Sequence, residues 1–505
     1  MANPLYDKLF GRHLGQDTPF LDLQTGETVT HRAFLETAAR YANTLTELGL
    51  ATGDRVAVQI EKSPEALAVY AACVQAGFVF LPLNTAYTAD EVSYFVENSG
   101  AKVLLCDARA EAALDPVAAR FGATLRTLNA DGSGSFPEAA KSSPATFDTA
   151  DRSEDDLAAF LYTSGTTGRS KGAMLTQRNL LSNCEVLVTE WAFTAEDVLL
   201  HALPIFHTHG LFVATNIILM TGGKMIFLPK FDRDTVIDLL PKATSMMGVP
   251  TFYTRLLDDP RFDRALTRDM RLFVSGSAPL LAETHVRFEE RTGHRILERY
   301  GMTETNMNTS NPYEGERRAG TVGFALPGVE VKVTDPASGE TLPQGDIGQI
   351  EVRGPNVFKG YWQMPEKTAE ELRADGFFIT GDLGRFDEDG YLVIVGRNKD
   401  LIISGGYNIY PKEIELLLDE AEGVLESAVI GVPHPDFGET VVGVLVAEPG
   451  GTPDLDRIKA DIAASLARFK HPQRLVVVPE LPRNTMGKVQ KNILRDTYKD
   501  LFQKG

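Results

Sequence analysis

The chain has 505 residues, 43 % of them hydrophobic and 24 % charged, with 50 Lys and Arg against 69 Asp and Glu and a formal charge of −19 at pH 7. That composition builds a globular protein with a large core and about three folding units, and it excludes disorder, collagen-like repeats and small disulfide scaffolds. The acidic balance argues against nucleic acid or an anionic membrane as partner, yet a few cationic groups in a cleft can still bind a small anion.

Cys73, Cys106 and Cys184 are odd in number and lack a C-x-x-C spacing, so they are expected to be reduced, buried thiols of a cytoplasmic protein. The first twenty residues carry Asp7 and Asp17 and lack the basic and apolar regions of an export signal. Leu211 to Pro229, the most apolar stretch, is interrupted by Thr215, Asn216, Gly222, Gly223 and Lys224 and falls short of a membrane span.

In chain order, residues 54–60 predict a strand, Pro64 to Gly77 a helix with proline at its first position and glycine behind it, and residues 102–106 another strand. This alternation predicts βαβ units and mostly parallel sheets. Residues 130–156, rich in Gly, Ser, Pro, Asp and Glu, predict a surface connection. The strand-like 157–162 feeds a Gly/Ser/Thr-rich loop, and a helical pattern begins near Thr176. The polar run Arg397-Asn398-Lys399-Asp400 between apolar segments marks a junction. Beyond it, a helix from Pro411, strands at 427–433 and 441–448, a helix at 454–469 and a strand at 474–480 predict a small α+β domain. The expected architecture is α/β: a large N-terminal domain of packed α/β subdomains, residues 1–398, and a small mobile α+β lid, residues 399–505.

The loop itself reads Thr163-Ser164-Gly165-Thr166-Thr167-Gly168-Arg169-Ser170-Lys171-Gly172. Small residues let backbone N–H groups and hydroxyls close on phosphate oxygens, and Lys171 adds a point charge. It is not a Walker A loop, because no G-K-[ST] ending places a hydroxyl on magnesium.

With four further motifs in order, the sequence resembles the adenylate-forming superfamily of acyl-CoA synthetases, adenylation domains and luciferases, over residues 20 to 495. The motifs are Tyr300 to Thr305, Ile379 to Asp382, Gly396 to Asp400 leading into Ser404 to Asn408, and Pro482 to Lys488. The resemblance implies ATP and coenzyme A as substrates, Mg2+ as metal, and a carboxylate that attacks the α-phosphorus before a thiol displaces AMP. By resemblance Thr163, Ser164, Gly165, Thr166, Thr167, Gly168 and Lys171 hold the outer phosphates, and Thr303 bonds the α-phosphate. Glu304 holds the magnesium. Tyr300 stacks on adenine opposite Gly276, Ser277 and Ala278, and Asp382 takes the ribose hydroxyls with help from Arg397. Lys488 carries adenylation by neutralising the carboxylate and the phosphate together. Lys399 is the implied hinge, bringing Ser404, Gly405 and Gly406 to line a pantetheine tunnel for the second step. A lysine acyltransferase or deacylase acting on Lys488 is an implied partner.

The segment Gly248 to Arg255, with residues 204–211 and 271–280, resembles the malonate-activating subgroup, which implies malonate as the acid and methylmalonate as a second. Arg255 suits a second carboxylate because a guanidinium binds one bidentately; its alternative is a helical ion pair with Asp258 or Asp259, worth about 0.3–0.5 kcal/mol. His207 is implied near the reacting carboxylate, Ser277 near the distal one, with Gly301 and Met302 also lining the acid. An H-x-H metal site at His207 and His209 lacks a third ligand nearby in sequence. The alternatives are a ligase for another short acid and a free-standing enzyme that loads a carrier protein. The charges expected to make a local cationic cleft are Lys171, Arg255, Arg397 and Lys488.

Overall fold

The computed structural model describes residues 2–163, 170–404, 407–484 and 488–502, apart from the side chain of Asn408. The chain forms two compact units, one of Met1–Val331 with Val352–Phe378 and one of Lys332–Glu351 with Ile379–Gly505. Positions 398 and 399, where the sequence suggests a division, both lie in the second unit.

The first unit is α/β. Ser63 caps the helix Pro64–Ala76 by accepting from the Ala66 N–H, and Gly77 ends it at φ 70°, a left-handed conformation that glycine adopts without strain. This helix is buried on every side, so it reads as uniformly apolar rather than amphipathic. It connects Arg55–Gln59 to Val79–Pro82, parallel neighbours in a six-stranded sheet that continues through Leu157–Thr163 and closes on the antiparallel Lys171–Thr176. A nine-stranded sheet supplies the second layer. Its parallel centre runs Leu297–Met302, Leu272–Ser275, Ser245–Gly248, Val198–His201, Lys224–Phe227 and Pro19–Leu23. Parallel strands all present their carboxyl ends to one edge, and ligands of such sheets bind there.

Two local expectations change. The helix expected from near Thr176 is present as Gln177–Glu190, capped by Thr176 and Asn179, but residues 171–176 ahead of it form a strand pairing back on 157–163 instead of a loop. The expected surface connection contains the helix Ser135–Ala140, because Phe136 is fully buried with its ring 4.8 Å from Tyr41. Leu211 to Pro229 divides into a π-helix, His209–Thr215, an α-helix, Asn216–Thr221, and the strand Lys224–Phe227. Among the described residues no helix is long and apolar enough to cross a membrane. The three cysteines are buried free thiols.

The second unit contains a four-stranded sheet of Glu330–Thr334, Gly348–Arg353, Phe378–Phe386 and Leu392–Arg397, and a five-stranded sheet built on the hairpin Val424–His434 and Gly438–Ala447. Helices Pro411–Asp419 and Leu455–Ser465 bury Ile414, Leu418, Ile458 and Ile462 on one face of the five-stranded sheet. A last helix, Lys491–Tyr498, buries Leu494 in the other face.

Candidate active site

The carboxyl end of Leu157–Thr163 leads into the Gly/Ser/Thr-rich loop. Thr163 and Lys171 are register partners across its neck; Ser164, Gly165, Thr166, Thr167 and Gly168 lie outside the described residues. Lys171 Nζ donates to both oxygens of Glu371, at 3.2 and 3.1 Å, and lies 4.1 Å from the centre of the Tyr361 ring. The Tyr361 hydroxyl lies 2.7 Å from Glu371 and 3.0 Å from Glu304. Glu304 is 5 % exposed, and burial pushes its carboxyl above the usual range although the Tyr361 hydroxyl and Lys171 oppose that. Burial acts on Glu371 the same way, but Tyr361, Lys367 and Lys171 outweigh it and hold Glu371 below the usual range. An all-oxygen, acidic pair joined through one hydroxyl suits a hard divalent cation, and Glu304 is the residue that would hold it.

Strand register builds the neighbouring subsite. Gly248 pairs with Ser275, and Ser275 with Glu298, so the residues that follow, Gly276, Ser277 and Arg299, meet at one sheet edge. A Cβ on Gly276 would overlap the Arg299 guanidinium. Ser277 sits at φ 70°, strained for a residue with a side chain. Tyr300 is buried, while Gly301, Met302 and Thr303 are half-buried at the end of the same strand. Gly301 has no room for a Cβ, which would strike the Asn306 carbonyl.

Arg299 was not singled out from the sequence. It is 4 % exposed, and its Nε and Nη2 find no partner among the described residues. Burial lowers its pKa to about 9, partly offset by Tyr253 and Glu298, so it is still a cation at neutral pH. His209 faces it: Nδ1 lies 3.2 Å from Ser277 Oγ, and Nε2 is unpartnered among the described residues. Burial first, then the Arg299 charge, hold His209 well below the usual histidine range and therefore neutral. His207 is half-buried, its Nδ1 accepting from the His209 backbone N–H at 3.3 Å.

Arg255 lies on the helix that follows the strand Ser245–Gly248. In the helix Pro250–Leu257 the buried positions are Tyr253, Leu256 and Leu257, which leaves Arg255 exposed. The alternative, a helical ion pair with Asp258 or Asp259, is not formed among the described residues, and Asp259 is taken by Arg261 and Arg233.

The second unit holds the remaining residues. Asp382 is buried and pairs with Arg397, its register partner, at 3.0 Å. Thr380 Oγ1 accepts from the Asp382 N–H, and Gln349 donates to the Asp382 carbonyl at 3.0 Å. Lys399 is exposed in the short helix Asn398–Asp400, and Ser404 pairs with Tyr407 and Gly438. Gly405 and Gly406 lie outside the described residues. Lys488 is exposed, and two bonds join it to Asn484: its N–H donates to Asn484 Oδ1, and the Asn484 N–H donates to its carbonyl.

The chain matches the AMP-binding enzyme family over residues 12–362 and the AMP-binding enzyme C-terminal domain over residues 413–488, and it belongs to that family. It is 35 % identical over 493 residues to a malonate–CoA ligase of Arabidopsis thaliana, covering 90 % of this chain and 79 % of that one. It is 37 % identical over 477 residues to a feruloyl-CoA synthase of Amycolatopsis sp, covering 94 % of each. Among solved structures, ATP-bound MatB from Rhodopseudomonas palustris is similar with a TM-score of 0.98 at 57 % identity, over 100 % of both chains. Curated relatives at nearly equal identity thus bear the names of different acids, and the site has to decide between them.

The notch at Gly276 gives a direct test. Gly276→Ala should drive the Arg299 guanidinium from its place and lower stability by about 1–3 kcal/mol in urea unfolding. Wild-type stability together with wild-type turnover would show that the notch is not tight.

Proposed function

We propose that this protein ligates malonate to coenzyme A at the expense of ATP, forming malonyl-adenylate and pyrophosphate and then malonyl-CoA and AMP. The observation that carries the choice of acid is the buried Arg299 guanidinium, whose Nε and Nη2 have no hydrogen-bond partner among the described residues, beside His209, Ser277 and Gly276. Leaving a buried charge uncompensated costs about 3–5 kcal/mol, which a ligand carrying a second carboxylate recovers by bidentate pairing. An alkyl or aryl tail recovers none of it. Malonate has the second carboxylate two bonds from the first, and a methyl branch between them, as in methylmalonate, leaves both charges intact.

In the first step a malonate oxygen attacks the α-phosphorus and pyrophosphate leaves. Lys171, Thr163 and the intervening loop hold the outer phosphates, and Thr303 supports the α-phosphate. Tyr300 and the Gly276-Ser277-Ala278 segment enclose adenine, while Asp382, fixed by Arg397, takes the ribose. His207 orients the reacting carboxylate. Magnesium, held by Glu304, supplies positive charge against the triphosphate. Lys171, with two of its three donors on Glu371, meets the phosphates with the third. Arg255, on the exposed helical face, is a second guanidinium for the arriving dianion. For the second step we infer a rotation about Lys399 that exchanges Lys488 for Ser404, Gly405 and Gly406, so that the coenzyme A sulfur displaces AMP. Acylation of Lys488 by another enzyme would remove its charge and stop the first step.

Two substitutions test the reading. Arg299→Leu should lower kcat/KM for malonate at least about 100-fold, or ~2.7 kcal/mol of transition-state binding; an unchanged value contradicts malonate recognition by this residue. Lys488→Ala should abolish malonate-dependent pyrophosphate release yet spare thioester formation from supplied malonyl-adenylate. Equal loss of both half-reactions would count against the two-step division of labour.

A further inference from the structure

Another cation in the first unit lies beyond the chemistry assigned above. Lys62, just after the strand Arg55–Gln59, is 9 % exposed. Its Nζ donates to His201 Nδ1 at 2.8 Å and to the His201 carbonyl at 2.9 Å, and it lies 4.3 Å from the centre of the Phe227 ring. No carboxylate pairs with it among the described residues, and the adjacent Glu61 pairs with Arg109 instead. Burial without an anion pushes the Lys62 amine well below the usual lysine range, so its geometry asks for a purpose.

That geometry continues through His201. Because Nδ1 accepts from Lys62, the ring hydrogen belongs on Nε2, which lies 2.8 Å from the Gly210 carbonyl and donates to it. Thr215 Oγ1 donates to the same oxygen at 2.9 Å. Gly210 cannot move aside easily, since even a Cβ there would overlap the Pro204 carbonyl. It belongs to the π-helix His209–Thr215, a wide turn that displaces the following residues relative to an α-helix and recurs at functional sites. The first residue of that turn, His209, contacts Ser277 through its ring and His207 through its backbone.

We propose that Lys62 is a positioning residue for the acid site, acting through His201 and the Gly210 carbonyl to fix the turn that places His207 and His209 against Ser277 and Arg299. The chain of contacts starts at the carboxyl end of one sheet and ends at that of the other. It rests on the reading of the His207–His209 segment as the acid subsite, and not on which acid is bound.

The test uses the full-length enzyme with whichever C2 to C6 acid gives the wild type its highest kcat/KM, so that a wrong choice of acid leaves the test intact. Lys62→Met keeps the apolar stem and removes the donors, while Lys62→Gln restores two N–H donors without charge. Lys62→Met should raise KM for the acid at least tenfold with KM for ATP within twofold of wild type, and Lys62→Gln should recover at least threefold of that loss. An acid KM within twofold of wild type in Lys62→Met overturns the proposal. So does an equal rise in both KM values, or a folded Lys62→Gln no better than Lys62→Met. Should Lys62→Met fail to fold, Thr215→Val, which removes the other side-chain donor to Gly210, should raise the acid KM at least threefold with KM for ATP unchanged; no rise overturns the proposal equally.

Discussion

A buried guanidinium with two nitrogens that find no hydrogen-bond partner among the described residues is poised for something that arrives. Around Arg299 the first unit does this with three devices. Parallel strand register sets Gly276 beside it, the missing Cβ of that glycine leaves room for the planar head, and the strained Ser277 turns toward His209. None of these groups is an anion. The result is a cationic recess in a protein whose formal charge is −19. Whole-chain charge describes solubility and steering, while the recess decides what is bound.

The phosphate end solves the reverse problem. Lys171, to which we assign the outer phosphates, is held by Glu371, which is also tied through Tyr361 to Glu304. An ammonium has three donors, so two on Glu371 still leave one to meet a phosphate oxygen. The same carboxylate thereby fixes the lysine and keeps a second acid close to the residue that would hold magnesium. At the acid end the cation waits for its partner; at the phosphate end it is already partnered.

Much of this was legible in the sequence where the determinants are local. Ser63, Pro64 and Gly77 punctuate one helix, and the small α+β domain follows its strand and helix patterns closely. What was not legible depends on distant partners. Residues 171–176 read as the run-up to a helix because nothing local shows that 157–163 pairs with them. Glu371 lies two hundred positions from Lys171. The apolar positions Phe252, Tyr253, Leu256 and Leu257 already put residue 255 on the exposed face of its helix. Arg299 was overlooked beside the Tyr300 motif; the available signal was a Glu-Arg pair set inside a strand that is otherwise apolar at its start.

The central claim, that the recess at Arg299 selects an acid with a second carboxylate, is tested most directly by acid-dependent pyrophosphate release across C2 to C6 mono- and dicarboxylates with ATP, magnesium and coenzyme A present. The account predicts the highest kcat/KM for malonate, methylmalonate next, and monocarboxylates of any length at least about 100-fold lower, the loss expected when a buried charge is left unpaired. A monocarboxylate that equals or exceeds malonate would contradict it.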